Sequence, residues 1–192
     1  MLVLILGLVI FLGVHSVRIV ADGWRTQTIT RIGAQPWKAL YSVVSLAGFG
    51  LIIWGFGLAR AQPVQLWSPP VAMRHLAPLL TLVAFVLLAA AYVPGNSIKA
   101  RVHHPMVLAV QVWALAHLLA NGNFAHVVLF GAFLVWAAWN FSAARRRDRV
   151  AGAVYASGAA MATVSTVVVG AVAWAAVAFW LHGWLIGVRA VG

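Results

Sequence analysis

The chain has 192 residues, of which 64% are hydrophobic and only 8% charged, with 13 Lys and Arg against two acids and no cysteine. This composition excludes an ordinary soluble domain, and apolar stretches long enough to cross a bilayer recur along the whole length. It also excludes disulfides, thiolate metal centres, iron–sulfur clusters, a cysteine nucleophile, covalently attached haem c and a carboxylate-rich di-iron site.

The first predicted helix runs from about Leu2 to Val17 and carries His15 near its end. Met1 to Val14 lacks the basic start and small-residue cleavage site of a signal peptide, so this helix is expected to be retained. A basic loop follows, with Arg18, Arg25, Arg31 and Lys38. The second helix is expected from about Pro36 to Leu58, its glycines and serines allowing close packing. Arg60 to Arg74 reads as an interfacial loop anchored by Trp67. The third helix covers about Val71 to Tyr92; Pro78 is expected to bend it without breaking it.

Helix four starts at Pro105, where a missing N–H costs nothing. It runs through Gln111 and His117 to a stop at Asn121-Gly122-Asn123. A three-residue turn then gives helix five, about Phe124 to Asn140, paired antiparallel with helix four and ended by the basic run Arg145 to Arg149. The sixth helix is expected from about Val154 to Leu185 and is long enough to tilt or break near Gly170.

The expected fold is therefore all-α, a polytopic transmembrane bundle of about six helices forming a single integral membrane domain over residues 1–192. With the N-terminus outside, ten Lys and Arg fall in inner loops and three in outer ones. That bias places both termini on the outer side of the membrane. The bilayer is thus the expected partner of the chain, and its +11 charge is a topology signal with no nucleic acid implied.

Metal or acid–base chemistry must rest on seven histidines, His15, His75, His103, His104, His117, His126 and His182. Asp22 and Asp148 lie in basic loops, and no Walker loop, dinucleotide fingerprint, zincin motif or serine triad is present. His103 and His104 sit among Lys99 and Arg101 and read as solvated or headgroup-facing. His75 and His182 read as interfacial. His15 and His117 differ because apolar sequence brackets both. Two readings stand: neutral imidazoles bonded across helices, or paired axial ligands of a haem in a pocket lined by Trp, Phe and Leu. Gln111, Asn121, Asn123 and Asn140 read as helix-to-helix hydrogen-bonding groups or as partners of such ligands. At about 1.5 Å per residue, His15 lies roughly 20 Å from Met1 and His117 roughly 6–9 Å from the turn. Topology alone therefore also allows His117 to pair with His126 or His75.

Four segments carry a resemblance. Phe11-Leu12-Gly13-Val14-His15-Ser16, His104-Pro105, Leu115-Ala116-His117-Leu118-Leu119-Ala120-Asn121-Gly122 and Ala138-Trp139-Asn140, in that order, resemble the NnrU family over almost the whole chain. The resemblance implies an integral membrane protein associated with nitrite and nitric oxide reduction in denitrifying bacteria. The family also includes the plant and cyanobacterial 15-cis-zeta-carotene isomerase, a haem b protein. That isomerase's ligand segments are similar to His15-Ser16 and to Trp113 through His117. By this likeness His15 and His117 are the axial ligands of haem b, making both the cofactor-binding and the metal-binding residues. His103 stands where the isomerase's Arg-His-Pro motif has its Arg, Ala114 where it has a cysteine, and Ala59 or Arg60 where it has a further histidine. With those positions changed, haem binding is the implied inheritance rather than isomerisation. The expected role is electron transfer, nitric oxide sensing or another accessory function, with a redox partner. The alternatives are haem-dependent cis–trans isomerisation of an apolar polyene and a haem-free assembly or transport factor. His104-Pro105 is also reminiscent of membrane methyltransferases, but the acidic C-terminal residues they need are missing here.

Overall fold

The computed structural model describes residues 1–191, and the regular elements among them are helical apart from two isolated bridges. Five helical segments are long and apolar enough to span a membrane: Leu2–Val20, Ala34–Ala61, Val71–Tyr92, Phe124–Ala151 and Ala160–Ile186. Their exposed surfaces are largely hydrocarbon, with Leu46, Val83, Val135 and Val172 among the exposed side chains. A chain with this much apolar outer surface is solvated by lipid. The all-α polytopic expectation holds, and the protein is a multi-pass integral membrane protein.

The chain forms two compact units, one built from residues 1–67 and 122–136, the other from residues 68–121 and from 137 onward. In the first unit, α1 (Leu2–Val20) packs antiparallel on α3 (Ala34–Ala61). The contact is made backbone to backbone: Gly7 faces Leu51 and Ile52, Gly48 faces Phe11, and Gly55 faces Val3 and Leu4. Lipid offers no hydrophobic drive between helices, so small residues that admit close van der Waals contact supply the association.

Between α1 and α3 lies α2 (Asp22–Ile32), where the sequence reads as a loop. Hydropathy reports burial rather than helicity, and this segment is helical without a buried residue. Its threonines, Thr26, Thr28 and Thr30, donate to carbonyls four residues back, and Asp22 in the first turn meets Arg25 at 3.4 Å. Trp24 packs edge-on against Trp37, which ties this interfacial helix to α3.

The tail of α3 leads into residues 64–67, which pair with the connection ahead of α7 (Phe124–Ala151). Leu66 N donates to Gly122 O at 2.8 Å, and Phe124 N to Val64 O at 2.9 Å. Gly122 lies directly on the Trp67 carbonyl, where a Cβ would come within 1.8 Å of the oxygen. The turn sequence Asn121-Gly122-Asn123 is thus fixed by close approach as well as by its role as a helix stop.

In the second unit, α4 (Val71–Tyr92) packs against both α6 (Pro105–Ala120) and α8 (Ala160–Ala176). Pro78 stays inside a continuous α4, as expected. The short α5 (Ser97–Val102) is capped by Asn96 and leads through His103, at φ +67°, into α6. Gln111 Nε2 donates to Ala137 O at 3.1 Å, and His104 meets Asp148 at 2.8 Å. The two contacts make α6 and the end of α7 antiparallel, as the sequence predicts.

Two boundaries differ from the sequence reading. The basic run does not end its helix: α7 continues to Ala151, because arginine is a good helix former and cations suit a helix C-terminus. The last long helix starts at Ala160 rather than Val154, since Gly158 and Ala159 are held against Asn96 and Gly95. It also passes through Gly170 unbroken, with that glycine seated on the backbone of Val86. The irregularity comes later, as a π-turn over Val177–Leu181 before α9 (His182–Ile186).

Candidate functional site

A cavity of about 1090 Å³ opens in the second unit between α4, α6 and the α8–α9 segment. Ligand pockets commonly measure about 300–1,000 Å³, so this one has room for a large ligand. Its body is apolar, with Ala84, Phe85, Leu88, Ala109, Val110 and Trp113 on the walls. Its polar groups are His75, His117, His182, Arg74, Arg189, Asn121 and Thr81.

The sequence builds this distribution simply. Arg74 and His75 lie in the first turns of α4, His117 in the last turn of α6, and His182 at the start of α9. The π-turn widens the helix immediately before His182 and contributes Val177 and Ala178 to the wall; such turns recur at functional sites. Trp174 Nε1 donates to Thr81 Oγ1 at 3.1 Å, locking α8 to α4 across the wall.

His117 is half-buried, with its ring 5.2 Å from that of Trp113. Its Nδ1 lies 2.8 Å from the Trp113 carbonyl, four residues back. A carbonyl can only accept, so Nδ1 carries the proton and Nε2 carries the imidazole lone pair. Asn121 Nδ2 donates to the His117 carbonyl at 2.9 Å, closing the end of α6 on the residue that carries the ring.

His15, in the first unit, has the same local arrangement. Its Nδ1 donates to Phe11 O at 2.6 Å, which again assigns the lone pair to Nε2. Its ring stacks on Phe11 at 4.2 Å, with Tyr41 at 5.2 Å and the edge of Trp136 at 6.1 Å. The Trp136 indole nitrogen is buried with no hydrogen-bond partner among the described residues.

The remaining histidines are placed differently. His126 sits in the first turn of α7 against Phe56 and Phe130, and its Nδ1 is buried without a hydrogen-bond partner among the described residues. No helical carbonyl precedes it by four residues, so its tautomer is not set as those of His15 and His117 are. His182 donates through Nδ1 to Val188 O at 2.6 Å. His104 directs Nε2 at Asp148, which commits that nitrogen to a carboxylate. Among the described residues, no three His, Asp or Glu side chains converge to hold a bare metal ion. A haem iron needs only one or two protein ligands.

A family model described as NnrU protein matches residues 3–190. The chain belongs to the NnrU family. No curated protein and no solved structure matches it. In this NnrU chain the matched span includes both histidines whose Nδ1–H is tied to their own helix. Sequence reasoning singled out those two and offered His75 as another partner for His117, which lines the same cavity, but missed His182, Arg74 and Arg189 there. The available signal was the adjacent Arg74-His75 pair at a helix start in a chain nearly devoid of acids.

At the other end of α6 lies a second polar cluster. Asp148 Oδ2 accepts from His104 at 2.8 Å and from the Tyr155 hydroxyl at 2.9 Å. His103 stacks on Tyr155 at 4.0 Å and meets Arg145. Burial pushes the Tyr155 phenol up, and its bond to the Asp148 carboxylate pushes it further. Asp148→Asn removes the anion that the phenolate would have to face. The Tyr155 titration is therefore expected to fall toward its ordinary range, read as a lower-pH tyrosinate absorbance step against Tyr155→Phe. An unchanged titration would mean that the Tyr155–Asp148 bond is not formed in the membrane protein.

Proposed function

We propose that this NnrU protein is an inner-membrane haem b protein serving nitrite and nitric oxide reduction, with His117 and His15 as the residues that would hold the iron. The observation that carries the reading is the ring setting of these two side chains. Each donates Nδ1–H to its own helix, so each has Nε2 as the nitrogen with which imidazole binds iron. Fixing one tautomer before the metal arrives also removes rotational freedom that binding would otherwise have to restrict. Around His117 the cavity has the size and apolar lining for a macrocycle.

When bound, haem b supplies a one-electron redox centre. The chain's own part is to hold the imidazoles, exclude water with Phe85, Trp113 and Trp174, and keep the site within the bilayer's depth. Two neutral imidazoles favour electron transfer over ligand activation. His75, which lines the same cavity as His117, is the competitor for the second ligand position.

The charge distribution supports both termini on the periplasmic side. α6 has 16 residues, about 24 Å at the helical rise, which is short of a hydrocarbon core of about 30 Å. With α6 counted as a crossing, ten Lys and Arg lie inside and three outside; without it the division becomes seven to six. The positive-inside rule therefore supports six crossings.

The test is an absorption spectrum of detergent-purified protein, oxidised and dithionite-reduced. The expected result is a low-spin b-type spectrum. His117→Ala is expected to lose the haem, and His15→Ala to leave it high-spin or lost while His75→Ala keeps it low-spin. A high-spin His75→Ala protein beside a normal His15→Ala protein would move the second ligand to His75. Absence of a Soret band after expression with ample haem would sink the cofactor. The large cavity with its mainly apolar lining favours a second reading, haem-dependent isomerisation of a polyene. Unchanged zeta-carotene isomers after incubation with reduced, haem-loaded protein would remove it.

A further inference from the structure

The cavity carries two cations that no acidic side chain meets among the described residues. Arg74 and Arg189 both line it, while the only acids are Asp22 and Asp148. Asp22 meets Arg25, and Asp148 is taken by His104 and Tyr155. Arg74 stands moreover in the first turns of α4, where the helix dipole is already positive and no acidic residue is present. Both side chains are exposed at the cavity's edge, and two guanidinium groups on one apolar cavity favour a bound anion. The planar fork of arginine matches a carboxylate in particular.

The rest of the cavity is hydrocarbon and aromatic. Its ligand therefore has a large apolar body with negative charge gathered at one edge. We propose that Arg74 and Arg189 would hold the two propionate carboxylates of a haem seated in this cavity. This rests on the haem reading above and adds to it the residues that would take the ring's charged groups.

The experiment is a titration of the full-length apoprotein in detergent with hemin and, separately, with hemin dimethyl ester, which lacks the carboxylate charge. Wild type is expected to bind hemin at least about tenfold more tightly than the ester, since hydrogen bonds from a guanidinium to a carboxylate are stronger than those to a neutral ester. Arg74→Gln and Arg189→Gln are each expected to weaken hemin about tenfold and leave the ester unchanged. The double variant no longer distinguishes the two porphyrins. Arg31→Gln, on α2 in the other unit, is the control and keeps full discrimination. The reduction potential of the bound haem is expected to fall in both cavity variants, because a lost cation disfavours the added electron.

Equal binding of hemin and its ester by wild type, with a normal b-type spectrum, would overturn the propionate assignment and leave the haem reading standing. Binding of neither porphyrin would overturn both. Anionic phosphatidylglycerol that copurifies with wild type and not with the double variant, alongside unchanged hemin titrations, would give the arginines to a lipid headgroup and overturn the assignment.

Discussion

Gly55→Leu is expected to separate α1 from α3 and to cost the protein about 3 kcal/mol or more, at the upper end of what overpacking does. A Cβ on residue 55 would lie 2.3 Å from Leu4 N, 2.6 Å from Leu4 Cα and 2.7 Å from Val3 C. These are main-chain atoms of the facing helix, so no rotamer change can relieve the collision. Even alanine is too large there. Because lipid competes equally well for apolar side chains, a helix pair pushed apart has no hydrophobic term drawing it back. Gly57→Leu is the matched control, since a Cβ there meets nothing within 4 Å. Denaturant titration in mixed micelles, followed by helix circular dichroism, should show Gly55→Leu unfolding well before wild type and Gly57→Leu with it. Coincident transitions for Gly55→Leu and Gly57→Leu would mean that α1 and α3 are not in backbone contact.

The same substitution reaches the proposed ligand. His15 lies on α1 and Tyr41 on α3, and the aromatic surround of His15 exists only while these helices stay in register. Haem content in Gly55→Leu is therefore expected to fall although residue 55 is about four helical turns from Tyr41. Loss of stability with full haem occupancy would favour His75 over His15 as the second ligand.

What the sequence discloses depends on the kind of interaction that sets each feature. The bounds of α4, Val71–Tyr92, and of α6, Pro105–Ala120, are local matters of apolar length, a proline at the first turn and a polar stop, and they are readable. The start of α8 is not local. Residues 154–159 hold no proline or charge that would stop a helix, and it is the seating of Gly158 on Asn96 and Ser97, with the Ala159 N–H bonded to Gly95 O, that sets where α8 begins. α2 is hidden for the opposite reason, since its helix is built from polar residues at an interface where hydropathy is uninformative. His15 and His117 stand out because apolar neighbours make a polar ring conspicuous. Arg74 and Arg189 do not, because their meaning comes from sharing one cavity across more than a hundred residues of chain. Scarcity of acids is legible in composition; which cations it leaves uncompensated is a matter of folding.

Asn96→Ala is expected to be the most damaging substitution in the second unit, costing about 2–4 kcal/mol, because it removes three hydrogen bonds from one buried side chain. The residue is 2% exposed. Its Nδ2 donates to Ala90 O at 3.0 Å and to Val93 O at 2.6 Å, satisfying carbonyls at the end of α4. Its Oδ1 accepts from Lys99 N at 2.7 Å, capping α5. One amide thus joins the end of one helix to the start of the next. The joint holds the turn through His103, whose φ of +67° is disfavoured for a non-glycine residue and needs support from its surroundings. Asn96→Asp separates the two roles. Its carboxylate can still cap Lys99, but it offers no donor to Ala90 and Val93 and sets a negative charge against their carbonyls. Asn96→Asp is therefore expected to be nearly as unstable as Asn96→Ala above the carboxylate's titration range, and to recover as pH falls and the group regains a proton to donate. Hydrogen exchange at the Lys99 amide distinguishes the cases: fast in Asn96→Ala, slow in Asn96→Asp. A slow Lys99 amide in Asn96→Ala would mean that α5 is held by its packing on α4 and α8 rather than by its cap.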